Sequence, residues 1–130
     1  METKIKNFTD LNACKEAHKL VLMIYKLTDS FPQKEVLSLT SQMRRAAVSV
    51  SSNIAEGFSR KTNKDKAQFY TMNQGSLTEL QNQLIISRDV KYIDNKTFMQ
   101  TAEQTVTVNK LINGLKRIVK IQNTSYSTGS

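Results

Sequence analysis

The chain of 130 residues has no tryptophan, one cysteine, one histidine, one proline and four glycines, and only 7% of it is aromatic. Each shortage excludes something. One cysteine permits no internal disulfide, and with a single histidine it leaves no His/Cys cluster of the kind that holds zinc or iron. So little proline and glycine, beside 38% apolar residues, argues against disorder and against a loop-rich fold. The longest apolar run, Leu20 to Tyr25, is six residues, far below the roughly 20 that span a bilayer. No charged, apolar, small-residue leader opens the chain, so neither secretion nor membrane insertion is expected, and a reducing cytoplasm suits the lone Cys14. A single domain of this length buries about 68% of its unfolded surface, enough to fold without a staple.

Acid is also scarce relative to base: the net charge is +8. Residues 31–62 carry +3 and residues 95–130 carry +4, against +1 for residues 1–30 and zero for residues 63–94. Such asymmetry suits a polyanionic partner.

Apolar spacing and punctuation divide the chain into four helices with no sign of a strand. The first runs from about Asp10 to Asp29, with Thr9 or Asp10 as N-cap. Phe31-Pro32 opens the second, which continues to about Phe58, because proline is favoured in a helix's first turn. Ser59 to Asn63 form a basic turn, Thr62 or Asn63 caps a third helix reaching about Tyr92, and Asp94 or Asn95 caps a fourth ending near Gln122. Residues 1–122 thus make one all-α, up-down-up-down four-helix bundle, and the polar residues 123–130 a frayed tail.

Within the second helix Leu39, Met43, Ala46, Val50 and Ile54 keep one face, Arg44 and Arg45 project from its flank and back, and Ala46, Asn53 and Gly57 line an edge where small side chains admit a neighbouring helix. On the third helix Phe69, Met72, Leu77, Leu80 and Leu84 form the apolar set. Asn53, Ser76 and Gln83 lie on or beside these stripes and are expected to bond to one another or to backbone carbonyls, fixing register. Gly75, mid-helix, makes sense where another backbone approaches, so a bulky residue there should overpack the bundle. The run Leu20 to Tyr25 covers most of the first helix's circumference, more than one core can hide, and predicts self-association.

Phe31-Pro32, Gln42 to Gly57 with Arg60, Gly75-Ser76-Leu77 with Glu79-Leu80, and Tyr92-Ile93 fall in an order that resembles the 23S rRNA intervening-sequence proteins, over about residues 5–95. The matching motif positions are Arg44, Arg45, Asn53, Glu56, Gly57, Arg60, Gly75, Ser76 and Glu79. The resemblance implies a small bacterial bundle assembled into a ring-like homo-oligomer, a pentamer, without catalytic activity or cofactor. Distant relatives look like the basic accessory variability proteins of diversity-generating retroelements, which bind nucleic acid and a reverse transcriptase. Three departures stand out: Ser51 replaces the family's usual proline, which puts a kink of the second helix in doubt. Cys14 replaces an aromatic, and Met72-Asn73-Gln74 replace a more apolar stretch.

The residue inventory gives no catalytic constellation. His18 and Cys14 both lie on the first helix's periodic stripe, where a lone histidine is read as a core residue, and no Ser-His-Asp or Glu-x-x-His arrangement exists. Glu56 and Glu79 are better read as partners of arginines such as Arg45 or Arg60 than as an acid/base pair. Lys110, Lys116, Arg117 and Lys120 fall within a third of the fourth helix's circumference, opposite Leu111, Leu115, Ile118 and Val119, and the basic turn adds Arg60, Lys61, Lys64 and Lys66. These eight side chains are the candidate contacts to RNA or DNA phosphates, a chemistry that positions a backbone without reading bases. The expectation is a non-enzymatic, oligomeric nucleic-acid-binding accessory protein. The alternative is a scaffold for a protein partner, a reverse transcriptase or a ribosomal component.

Overall fold

A computed structural model describes the backbone of residues 7–128 and the side chains of residues 7–120. Four helices, α1 (Asn12–Thr28), α2 (Leu39–Ser59), α3 (Asn63–Asp89) and α4 (Asn95–Thr128), account for nearly all of it, and no strand occurs among the described residues. Each helix packs on the next and α1 closes against α4. Cross-helix bonds show the directions. Asn73 meets Val50 and Ser76 meets Ser49, whereas Gln81 meets Thr105 and Gln74 meets Asn113, so α3 runs antiparallel to both neighbours.

The helix ends follow their capping chemistry, with two corrections. Thr62 Oγ1 accepts from Asp65 N–H at 3.1 Å to start α3, and Asp94 Oδ1 accepts from Thr97 N–H at 2.7 Å to start α4. The first helix is not capped by Thr9 or Asp10. Those residues belong to a 3-10 turn, Phe8–Asp10, closed by a capping box between Asn7 and Asp10, and α1 begins after Leu11. The second helix does not begin at Pro32 either. Pro32 precedes a separate 3-10 turn, Gln33–Glu35, and α2 starts only at Leu39. Its course through Ser51 is unbroken, as the absent proline allows. The backbone of α4 continues to Thr128, past the end near Gln122 read from the sequence, and the side chains of that tail lie outside the described residues.

At one end of the bundle two distant segments meet. Phe31 and Tyr92 stack with ring centroids 5.2 Å apart, and the Tyr92 hydroxyl donates to Glu35 Oε2 at 2.7 Å. Lys91, at φ 67°, turns the chain out of α3, and Tyr92 N–H reaches back to Ser87 O, closing the helix.

The core is aliphatic. Leu20, Ile24, Met43, Val50, Ile54, Leu77, Leu80, Leu84, Val108 and Ile112 are fully buried. The α2 stripe is as the spacing predicts, with Leu39 at its edge. On α3 the inward face is instead Tyr70, Asn73, Leu77, Leu80, Leu84 and Ser87, whereas Met72 is 56% exposed. The surplus of α1 stands outside: Leu22 and Tyr25 are exposed.

Of the polar residues expected to fix register, Asn53 and Ser76 do so through a third. Asn53 Nδ2 donates to Ser49 Oγ at 3.2 Å, and Ser49 and Ser76 share a hydrogen bond of 2.9 Å across α2 and α3. Gln83 donates to Glu79 Oε1 at 3.4 Å along its own helix. The most buried amide is Asn73, whose Nδ2 donates to Val50 O in the middle of the core.

The two expected close approaches separate. A Cβ at Gly57 would fall 2.6 Å from Tyr70 Cε1, so α2 and α3 do meet there. A Cβ at Gly75 would meet nothing within 4 Å. Gly75 is exposed, and the expectation that a bulky side chain there overpacks the bundle is overturned.

Candidate nucleic-acid interface

The basic turn and the basic stripe of α4 come to the same end of the molecule because α3 and α4 are antiparallel. The first turns of α3 lie beside residues 113–120 of α4, and Ala67, Asn113, Lys116, Arg117, Val119 and Lys120 line a surface groove of about 530 Å³. Lys64, three residues before Ala67, stands on the same side of α3.

Seven of the eight candidate cations divide into two kinds, and the eighth, Lys120, is exposed at the groove. Arg60 pairs with Glu56 Oε2 at 3.0 Å, one of the pairings open to it in the sequence, and its guanidinium lies 4.6 Å above the Phe69 ring. Lys66 Nζ donates to the Phe58 carbonyl at 2.5 Å and more weakly to Gly57 O at 3.4 Å, while lying 5.4 Å over the Phe58 ring. It satisfies the last carbonyls of α2, where the helix dipole favours a cation, and desolvation lowers its pKa. Lys116 Nζ donates to Gln74 Oε1 at 2.8 Å, and the Gln74 amide in turn donates to Asn109 and Asn113. These three cations are partly committed to the fold. Lys61, Lys64, Lys110 and Arg117 are exposed and have no ion-pair or hydrogen-bond partner among the described residues.

The apolar face opposite the stripe needs a correction. Val108, Ile112 and Val119 are the buried residues of this stretch, Leu111 and Leu115 lie at the margin, and Ile118 is 54% exposed. The inward direction of α4 is therefore rotated from the one read in the sequence, which leaves Lys116 at the edge of the packed face.

Away from this end, Arg44 Nε donates to Thr28 Oγ1 at 2.9 Å and its guanidinium lies 4.6 Å over the Tyr25 ring. Arg45 and Glu79 are exposed. His18, expected in the core, is exposed on α1. Among the described residues no group of three or more His, Cys, Asp and Glu side chains is placed to hold a metal, and no helix is long and apolar enough to cross a membrane. Cys14 is buried, and desolvation pushes its thiol up to about 11. Because the thiolate is the reactive form, alkylation of the native protein at pH 8 should be at least about tenfold slower than of the unfolded chain. Equal rates in a stopped labelling assay would place Cys14 at the surface.

Sequence reasoning missed Asn73, Ser49 and the capping role of Lys66. The 3-4 spacing of Tyr70, Asn73, Leu77, Leu80, Leu84 and Ser87 was the available signal for the first.

Comparison with known proteins agrees with this architecture. A solved structure, a protein of unknown function from the S23 ribosomal protein family of Bacteroides thetaiotaomicron, superposes with a TM-score of 0.74 over 81% of this chain and 95% of its own, at 14% sequence identity. At that identity the likeness speaks for the fold. No curated protein matches the chain. The model of the 23S rRNA-intervening sequence proteins matches residues 9–114, and with most of its bundle so covered the chain belongs to that family.

Proposed function

We propose that the protein is a non-enzymatic, oligomeric nucleic-acid-binding protein of the cytoplasm that holds RNA or DNA by its phosphates. The observation that carries this reading is that the start of α3, which follows the basic turn, comes beside the basic stripe of α4, around the groove of Ala67, Lys116, Arg117 and Lys120. An open groove edged by exposed lysine and arginine suits a phosphate backbone, and the absence of tryptophan and scarcity of other aromatics suit binding without base stacking. Repetition of the groove around a ring, a pentamer in the reading from resemblance, would lengthen the track and multiply weak contacts. A reverse transcriptase or a ribosomal component is the protein partner that this reading allows.

The test uses the four cations without structural duties. Replacing Lys61, Lys64, Lys110 and Arg117 by Gln should leave helicity and assembled mass unchanged, since none of them anchors a helix end. Affinity for single-stranded RNA should fall sharply. The slope of log affinity against log salt should shrink by about 0.7 for each phosphate no longer neutralised, with little change in sequence preference. A folded quadruple variant with the parent's affinity and slope would refute the reading and favour a scaffold for proteins.

A further inference from the structure

Gly75 is unexplained by the protomer. Glycine is among the poorest helix formers, yet this one sits mid-helix in α3 with open space where a Cβ would point. Met72, Gly75, Glu79, Asn82 and Ile86 follow one another at spacings of three and four, so they share a face. That face points away from the core: all five are exposed, the two apolar ones at 56% and 41%. The result is a strip of helix with apolar ends, a bare backbone and one carboxylate.

The opposite shape exists elsewhere on the same molecule. Between α1, the 3-10 connection and α2 runs a groove of about 830 Å³, the walls of which include Tyr25, Val36, Val48, Arg44 and Arg45. Tyr25, Val36 and Val48 are 41–47% exposed, and Leu37, on the adjoining connection, is 94% exposed. Charge is complementary. The strip has no basic residue, and Glu79 has no cation partner among the described residues. The groove carries two arginines, of which Arg45 has no carboxylate partner among them, against the single acid Asp29.

We propose that the Met72–Ile86 face of α3 docks in the α1–α2 groove of a second copy of this chain, with Gly75 at the point of closest approach and Glu79 meeting Arg45. The inference rests on the self-association in the proposed function and specifies the surfaces that perform it. Because the two surfaces differ, the contact is head-to-tail, and such contacts close into a ring when their rotation permits. It also gives the exposed Tyr25, Val36, Val48, Met72 and Ile86 a common role.

Charge exchange tests the pairing, with mass measured by light scattering after size exclusion of the full chain. The parent should be oligomeric. Glu79→Arg and Arg45→Glu should each weaken assembly by at least about tenfold, since each sets like charges face to face, and the double variant should restore it. Gly75→Leu should keep the protomer's circular dichroism while abolishing the oligomer. Single variants with the parent's mass, or a double variant that stays dissociated, would overturn these surfaces while leaving self-association standing. A monomeric parent would overturn self-association as well.

Discussion

Gly57→Leu should destabilise the protein by about 3 kcal/mol or more, enough to remove a large part of a domain's stability. Helix propensity alone points the other way, since replacing glycine within a helix gains up to about 1 kcal/mol. Packing decides the sign. A Cβ at this position would stand 2.6 Å from Tyr70 Cε1, 3.0 Å from Tyr70 Cδ1 and 3.1 Å from Phe69 Cβ. Tyr70 is 2% exposed, so its ring has no empty space to swing into, and the Phe69 Cβ moves only with the backbone of α3. The leucine must therefore push α2 and α3 apart, at the place where Lys66 also ties the end of α2 to the start of α3. Gly114→Ala supplies the control, because its Cβ would meet nothing, and it should gain about 0.5–1 kcal/mol. Urea denaturation of both variants measures the contrast. An unchanged midpoint for Gly57→Leu would show that the two helices are not in contact there.

Ile112→Ala should cost about 2–5 kcal/mol, and Ile118→Ala less than about 0.5 kcal/mol. Both residues are isoleucines of α4, six positions apart, and helix propensity favours alanine equally in the two cases. Ile112 is fully buried, so truncation removes its apolar burial and leaves a cavity that rigid neighbours fill only in part. Ile118 is 54% exposed and gives up little. Equal costs in denaturant unfolding would mean that α4 is rotated about its axis away from this orientation, and with it the direction of the basic stripe.

That rotation shows where sequence reasoning runs out. A period of 3.6 groups Lys110, Lys116, Arg117 and Lys120, yet the face read as opposite to them takes in Ile118 and passes over Ile112. In a helix so rich in Thr, Gln and Asn, several stripes of similar polarity compete, and the neighbouring helices choose among them. The same holds on α3, where Asn73 occupies a core position and Met72 faces out. A buried amide is tolerated because Val50 O accepts from it, a partner on another helix that no local pattern reveals. The strong apolar stripe of α2, by contrast, is legible from end to end. So is the pairing of Arg60 with Glu56, because i,i+4 spacing brings the two side chains together without help from any other helix.

The sequence by itself determined the helical class, the number of helices and the family, and narrowed the caps of α3 and α4 to two adjacent residues each, because capping, short-range periodicity and an ordered set of motifs are local properties of a chain. Only the tertiary structure decided which glycine is packed and which is bare, which cations serve the fold and which face solvent, and that Ala67 near the start of α3 lies beside residues 113–120 of α4. These depend on how four helices rotate about their own axes to bury one core, and each rotation answers to side chains far away in the chain.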